Sequence, residues 1–379
     1  MATEPDTQVY IDRLATKLKA TGAIRSAAVE RAFRAVPRHR LLERFSYYDG
    51  ARPVMIDHNP RRPEPGHLDL IYDDTALATR REGGRPASST SQPSMMARTL
   101  ELLDLRPGMR VLEIGAGTGY NAALMAELTG EAHLVTTVDI REDVVEQTSR
   151  LLAAAGYPGI RVRHGDGVQG APADAPFDRI VATVGCSDLS PNWAAQLRDD
   201  GIMAIPLAHC GDHPLVLLRH QAGELRGRVA LWTGFMPVRG PLHIEDLWPA
   251  GVVCGEQTEI ACEPAPGPGF AFSRPDDEHG FLFYLGLHDR RALGMHDGIG
   301  LSAMLDGWAK LGPDGLSWWK NAGLARTLER LYQRWLAIGR PMASDFLLSF
   351  QPAGVSSARP PGGWVIERRF YRELATLGA

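Results

Sequence analysis

A doubly wound α/β fold is what this sequence of 379 residues predicts, and three observations predict it. Short β-branched runs alternate with helix-forming segments between residues 110 and 206, at the spacing of βαβ units. A glycine-rich turn, Gly115-Ala-Gly-Thr-Gly119, joins the first such run to the first such helix. Three acids, Glu113, Asp139 and Asp166, fall at the carboxyl ends of three successive runs, where open α/β sheets bind their ligands.

The elements follow in order. Residues 8–36 read as two helices: Leu14, Leu18 and Ile24, then Val29, Phe33 and Val36, form apolar stripes, Gly22 breaks the first and Pro37 stops the second. Arg34 to Leu42 then leaves helix for extended chain. Residues 50–92 carry little periodicity and much Pro, Gly, Arg and Asp, which predicts a long functional or disordered loop. Because this loop enters a helix over Ser94–Asp104 through Pro93, Ser91 falls near its N-cap. A serine there either caps the helix or aims its hydroxyl into the ligand cleft, and the two roles are compatible.

Arg110–Ile114 is the first strand of the α/β series, and Asn121–Leu128 the helix after it, closed by Gly130. Leu134–Val138 is a strand ending in Asp139, followed by a helix over Glu142–Ala155. Ile160–Val162 runs into His164-Gly-Asp-Gly167, with His164 read as a structural residue. Asp178–Val184 and Ile202–Pro206 are the fourth and fifth strands. Leu215–Leu218 and Val229–Thr233 make an antiparallel ending.

Composition bounds the rest. The length predicts two domains, and 44% apolar with 23% charged residues is that of an ordinary soluble chain. A net charge of −4 argues against nucleic acid or an anionic membrane as the main partner. No run is apolar enough to span a bilayer, and the first residues lack the pattern of a signal peptide, so a cytoplasmic protein is expected. Cys186, Cys210, Cys254 and Cys262 form no C-x-x-C pair and read as buried free thiols. His209 and His213 lack further ligands beside them, so no metal is expected.

Two details choose the ligand. A dinucleotide fingerprint requires G-x-G-x-x-G, but here the sixth position is Tyr120, which disfavours a NAD-dependent dehydrogenase. Glu113, two residues before the first glycine, suits the cationic amino-acid end of S-adenosylmethionine and would repel a pyrophosphate. Asp139 is placed to accept hydrogen bonds from both ribose hydroxyls, and Asp166 to reach the adenine edge. Three acids at successive strand ends weigh against a tight turn that binds nothing.

These residues resemble the protein-L-isoaspartate (D-aspartate) O-methyltransferase family over about residues 8–238. The likeness is carried by Arg34-Ala-Val-Pro-Arg-His39, Tyr72-Asp-Asp74 with Leu77, and Ser91-Gln-Pro-Ser-Met-Met-Ala97. It continues through Leu102 to Gly108, Val111 to Asn121, His164 to Gly167, Ala175 to Val181 and Phe235-Met-Pro-Val238. The resemblance implies a Rossmann-like, S-adenosylmethionine-dependent methyltransferase sheet with N-terminal helices and a C-terminal α+β extension. It implies Ser91 as the active-site serine. It also implies methyl-donor contacts from Glu113, Gly115, Ala116, Gly117, Gly119, Asn121, Asp139, Ile140, Asp166 and Gly167. One departure stands out. The family reaches the serine through a short Pro-Ile-Gly-x-Gly-Gln-Thr segment, whereas here Leu77 leads into a longer Arg-rich stretch and Thr90 replaces an apolar residue.

On this reading residues 1–92 carry the N-terminal helices and substrate loop, 93–238 the donor-binding core, and 239–379 an extension for substrate recognition. In the extension Pro237–Pro241 reads as a hinge and Glu263–Gly269 as a surface loop. Phe281–Leu287 is a buried strand or a short apolar helix, and Leu324, Leu328, Leu331, Trp335 and Ile338 mark one helix face. Trp248, Trp308, Trp318, Trp319, Trp335 and Trp364 fall here, half or more of them expected to fill a core. Such an extension is similar to the branch that methylates an aspartate in ribosomally made, post-translationally modified peptides, leading to aspartimide. The expected partner is therefore a peptide or protein bearing an Asp or isoAsp carboxylate, a macrocyclic precursor peptide included. The alternatives are a general isoaspartyl repair enzyme and a non-catalytic donor-binding module.

Overall fold

The computed structural model describes residues 6–49, 52–221, 223–243, 261–263, 272, 275–295, 297–313, 315–355 and 359–378. The chain divides into two compact units, Met1–Val184 with Asn192–Ala204, and Gly185–Pro191 with Ile205–Ala379. The boundary expected at residues 238 and 239 falls inside the second unit.

The first unit opens with α1 (Thr7–Ala20) and α2 (Ala27–Ala35). Asp6 accepts from the Gln8 amide and Ser26 from the Val29 amide, so each helix starts on a side-chain cap. Arg38–Leu41 is a 3₁₀ turn and not extended chain, closed by the Arg40 amide on the Pro37 carbonyl at 2.9 Å. The stretch expected as a loop is instead folded. It forms β1 (Arg44–Asp49), β2 (Arg52–Asp57), α3 (Pro65–Ile71), β3 (Leu77–Glu82) and β4 (Arg85–Thr90), in the antiparallel order β2-β1-β3-β4. Its strands gave no apolar alternation because much of the sheet is wet: along β2 only Ile56 is even half-buried.

After α4 (Pro93–Leu103) come β5 (Val111–Ile114), α5 (Tyr120–Thr129), β6 (Val135–Asp139), α6 (Glu142–Ala154) and β7 (Arg161–His164). Then follow β8 (Phe177–Ala182), α7 (Pro191–Gln196) and β9 (Leu197–Pro206). The strands pair in parallel as β7-β6-β5-β8-β9, the doubly wound arrangement the sequence predicts. The order reverses at β5, whose four residues are all buried, so the crevice opens at the carboxyl ends of β5 and β8.

In the second unit β10 (Leu215–Gln221) and β11 (Glu224–Leu231) form the expected hairpin. β12 (Ala261–Glu263), α8 (Pro275–His288), β13 (Ala292–Met295), β14 (Gly298–Ser302), β15 (Trp308–Gly312) and β16 (Gly315–Trp319) come next. The unit ends with α9 (Ala322–Ala337), β17 (Phe346–Pro352), β18 (Trp364–Glu367) and β19 (Tyr371–Leu377). One antiparallel sheet runs β12-β16-β15-β14-β13, and the strands β10-β11-β17-β19-β18 also neighbour one another in that order. Residues 281–287 belong to a helix. Leu324, Leu328, Leu331 and Trp335 are buried along α9, while Ile338 lies past its end and is exposed. Phe281 packs against Tyr332 and Trp335, with centroids at 5.2 and 5.5 Å.

Trp308, Trp335 and Trp364 are buried, Trp318 and Trp319 are partly exposed, and Trp248 lies outside the described residues. Pro237–Pro241 is no free hinge: Val238 donates to the Gly185 carbonyl and Gly185 to that of Met236, each at 2.8 Å. Of the expected surface loop, residues 264–269 lie outside the described residues. Cys186 and Cys210 are buried free thiols; Cys254 lies outside the described residues.

Candidate active site

The glycine turn caps β5 and opens α5. Gly115 has φ +100° and Gly117 φ +52°, left-handed conformations that L side chains avoid. Space decides the matter too. A Cβ on Gly115 would lie 2.7 Å from Thr183 Oγ1, and one on Gly117 3.0 Å from the Ser89 carbonyl oxygen. Thr183 donates its hydroxyl to the Gly115 carbonyl at 2.7 Å, and Thr148 donates to that of Gly117 at 2.7 Å. Gly119 is the N-cap of α5 and supplies no side chain, so none of its own atoms competes for the first amides of the helix. Ala116 is buried within the turn.

The acids sit around this turn in three different states. Glu113 is 1% exposed, and its Oε1 accepts from Asn121 Nδ2 at 2.8 Å. Its Oε2 has no hydrogen-bond partner among the described residues. Burial pushes this carboxyl up to about 7, against the pull of Asn121 and of the nearby Thr137 hydroxyl. Asp139, at the tip of β6, accepts on Oδ2 from the amides of Ala116 (3.1 Å) and Gly117 (3.4 Å), and on Oδ1 from that of Arg141 (3.1 Å). Asp166 accepts from the Val168 amide at 3.0 Å.

The Gly165 amide donates to the Asp139 carbonyl at 3.0 Å, which joins the tips of β6 and β7. Gly167 lies one residue beyond Asp166, and its carbonyl accepts from Trp193 Nε1 at 2.8 Å. Ile140 is 40% exposed and offers an apolar surface beside these polar groups. His164 is exposed and donates from Nε2 to the Ile140 carbonyl at 3.2 Å, in keeping with a structural role.

Ser91 follows β4 directly. It does not cap α4: the N-cap is Gln92, which makes no side-chain cap bond, and the Ser94 amide donates to Asp74 Oδ1 at 2.8 Å. Gln92 Nε2 donates to the Asp74 carbonyl at 3.1 Å, so the Tyr72-Asp-Asp74 motif holds the start of the helix. The Ser91 hydroxyl has no intramolecular hydrogen bond among the described residues. The approach of Ser89 to Gly117 sets the end of β4 against the glycine turn, two residues from that hydroxyl. No hydrogen bond links Ser91 to Glu113, Asp139 or Asp166 among the described residues.

Sequence reasoning gave no role to Thr183, Thr148, Asp74 or Arg38, whose contacts join residues 20 to 68 positions apart. It also missed how the Arg-rich β3 is fastened. Arg80 pairs with Asp143 at 2.7 Å and donates to Gln147 at 3.0 Å, and Arg141 pairs with both Glu82 and Asp143. Beside this ladder lies a cavity of about 530 Å³, lined by Glu43, Arg44, Asp57, Arg80, Arg81 and Arg141 among others. Among the described residues no group of three or more His, Cys, Asp or Glu side chains is arranged to hold a metal.

The family model described as Protein-L-isoaspartate(D-aspartate) O-methyltransferase matches residues 10–242. This chain belongs to that family. A protein-L-isoaspartate O-methyltransferase of Methanopyrus kandleri is 35% identical over 231 residues, covering 60% of this chain and 91% of its own length. The Thermotoga maritima enzyme of that name is 36% identical over 177 residues, 46% of this chain and 56% of that one. A solved protein-L-isoaspartate O-methyltransferase is similar at 25% identity and a TM-score of 0.54, covering 89% of this chain and 96% of its own. That span is longer than the first 238 residues can supply. The likeness therefore runs on into residues 239–379.

Proposed function

We propose that this methyltransferase moves the methyl group of S-adenosylmethionine to an aspartyl-type side-chain carboxylate in a protein or peptide. The observation that carries the reading is the Glu113 carboxyl, buried at the tip of β5 with one oxygen unpaired, beneath a turn that side chains cannot occupy. A buried carboxyl with a spare acceptor fits a cationic ligand group, because a cation within reach recovers the charge stabilisation that burial removes. The residues present fit the donor. Asp139 would take the ribose hydroxyls, Asp166 and Gly167 the adenine edge, Ile140 the adenine face, and Gly115 to Asn121 the amino-acid end.

When bound, the donor supplies an electrophilic methyl group on a sulfonium. The substrate carboxylate needs no general base, since a side chain with a pKa near 4 is almost wholly ionised at pH 7. What it needs is loss of water and alignment. Ser91, with its hydroxyl uncommitted, donates a hydrogen bond that orients the carboxylate or the adjoining backbone. Alignment of this kind supplies several kcal/mol, up to roughly 7–11 in ideal cases. The ester formed is then open to attack by the next backbone nitrogen: an N–C bond forms, the C–O bond breaks, and methanol leaves with the amide proton. Hydrolysis of the resulting succinimide yields aspartate or isoaspartate.

The names of the relatives favour isoaspartyl residues in proteins as the substrate. A second reading, an ordinary aspartate in a ribosomally made precursor peptide, is favoured by the β3–β4 hairpin. There an Arg-rich stretch with Arg80 and Arg81 stands where the family carries a short Pro- and Gly-rich segment, and Thr90 replaces the apolar residue before the serine. The test incubates the protein and labelled donor separately with an isoaspartyl peptide, its aspartyl twin and a macrocyclic aspartyl peptide. Mass spectrometry follows methyl gain and then loss of methanol. Transfer confined to the isoaspartyl peptide selects repair, and transfer confined to the macrocycle selects the dedicated reading. No transfer to any carboxylate refutes both.

A further inference from the structure

Arg38 lies in the 3₁₀ turn after α2 and is fully buried, yet no carboxylate pairs with it among the described residues. Its guanidinium donates instead to four backbone carbonyls. Nη1 reaches Ile71 at 2.6 Å and Asp73 at 3.3 Å, while Nη2 reaches Thr75 and Ser91, each at 3.1 Å. The first three acceptors lie between the end of α3 and the start of β3, and the fourth is the serine itself. The same group sits 5.8 Å from the centre of the Tyr120 ring, and Tyr120 is the first residue of α5, directly after the glycine turn. One planar cation thus touches the segment that carries the hydroxyl and the helix that begins the donor site.

We propose that Arg38 is a positioning residue for methyl transfer, holding the Ser91 backbone in register with the glycine turn so that the serine hydroxyl meets the substrate carboxylate. This rests on the role given to Ser91 above. Merely filling the space would not call for a guanidinium. Burying a cation without an anion is unfavourable, and burial lowers its pKa to about 10, still leaving it charged at pH 7. Four carbonyls facing the two Nη groups offset much of that loss, while Nε has no partner among the described residues, and no other side chain presents donors in this geometry. Lysine keeps the charge but not the fork, so it separates the two.

The experiment is a double-mutant cycle. Arg38→Lys is made in the natural protein and in Ser91→Ala, with donor affinity by calorimetry, thermal midpoint, and kcat and KM on an isoaspartyl peptide. Arg38→Ala with added methylguanidinium gives a second readout. The expected result is that Arg38→Lys binds the donor within about twofold of the natural protein, yet loses roughly ten- to a hundredfold in kcat. The same change should cost less than about twofold when Ser91 is already alanine. Methylguanidinium should restore turnover to Arg38→Ala but not to the variant that also lacks the serine hydroxyl.

Equal loss in both backgrounds, or an undiminished kcat in Arg38→Lys, overturns the proposal while Ser91 keeps its role. Full turnover in Ser91→Ala alone fails the serine reading first, and the two failures are read from different variants. Should Arg38→Lys not fold, the methylguanidinium arm decides, since restored folding without restored turnover also counts against positioning.

Discussion

Replacing Glu113 by glutamine tests the electrostatics of the donor site. Burial lifts this carboxyl from its ordinary 4.5 to about 7, so the folded protein holds a proton there that the unfolded chain has already released. The sign follows from linkage: stability is lost as pH rises between those two values, and the full penalty stands above about 7. A shift of that size corresponds to roughly 3 kcal/mol. Glutamine keeps the shape and the contact with Asn121 but has no charge to bury. Urea unfolding of both proteins, without donor, should give nearly equal stabilities at pH 4. The variant should become the more stable by roughly 3 kcal/mol by pH 8. Donor affinity should move the other way, falling in Glu113→Gln, because the cationic end of the donor meets an uncharged amide. A stability difference that stays flat with pH would refute the account of Glu113 as a carboxyl whose charge is penalised by burial.

Asp139→Ala should weaken donor binding by about ten- to a hundredfold, the loss of one or two charge-assisted hydrogen bonds; calorimetry showing unchanged affinity removes Asp139 from the site. Ser91→Ala should lower turnover with donor affinity intact, read by single-turnover kinetics on a preformed complex, and undiminished turnover would leave the serine without a role. In the second unit Arg368 and Glu373 form a wholly buried pair at 2.6 Å, with Arg368 also donating to the Ser187 and Ala208 carbonyls. Burial alone would raise Glu373, but Arg368 and His209 outweigh it and hold it at about 2. That stabilisation is present above about 4.5 and is lost as pH falls toward 2. Arg368→Met should cost about 3–5 kcal/mol at pH 7 by stranding the Glu373 charge, measured by urea unfolding, and a neutral effect would show the pair to be dispensable.

The parts of the molecule that sequence makes legible are those whose function constrains the backbone itself. Gly115 and Gly117 announce the turn because only glycine fits there, and the acids at the tips of β5, β6 and β7 announce a ligand because strand ends place them. The sheet of β1 to β4 stayed hidden for the opposite reason. Its strands carry Arg, Pro and Ser, much of it faces solvent, and so the alternation that betrays a half-buried strand is missing. α8 was ambiguous because Phe281 to Leu285 are buried on every side, which erases the periodicity that tells helix from strand. Arg38 is visible in sequence only as part of a motif. Its four carbonyl acceptors come from residues 33 to 53 positions away, and backbone oxygens leave no mark in a sequence.

The most direct measurement is a crystal structure of the protein with S-adenosylhomocysteine. The account predicts the amino-acid end over Gly115 to Asn121, the ribose on Asp139, the adenine between Ile140 and Asp166, and the sulfur directed toward the Ser91 hydroxyl. Finding the nucleoside elsewhere, or Ser91 on the far side of the turn from its sulfur, would contradict it.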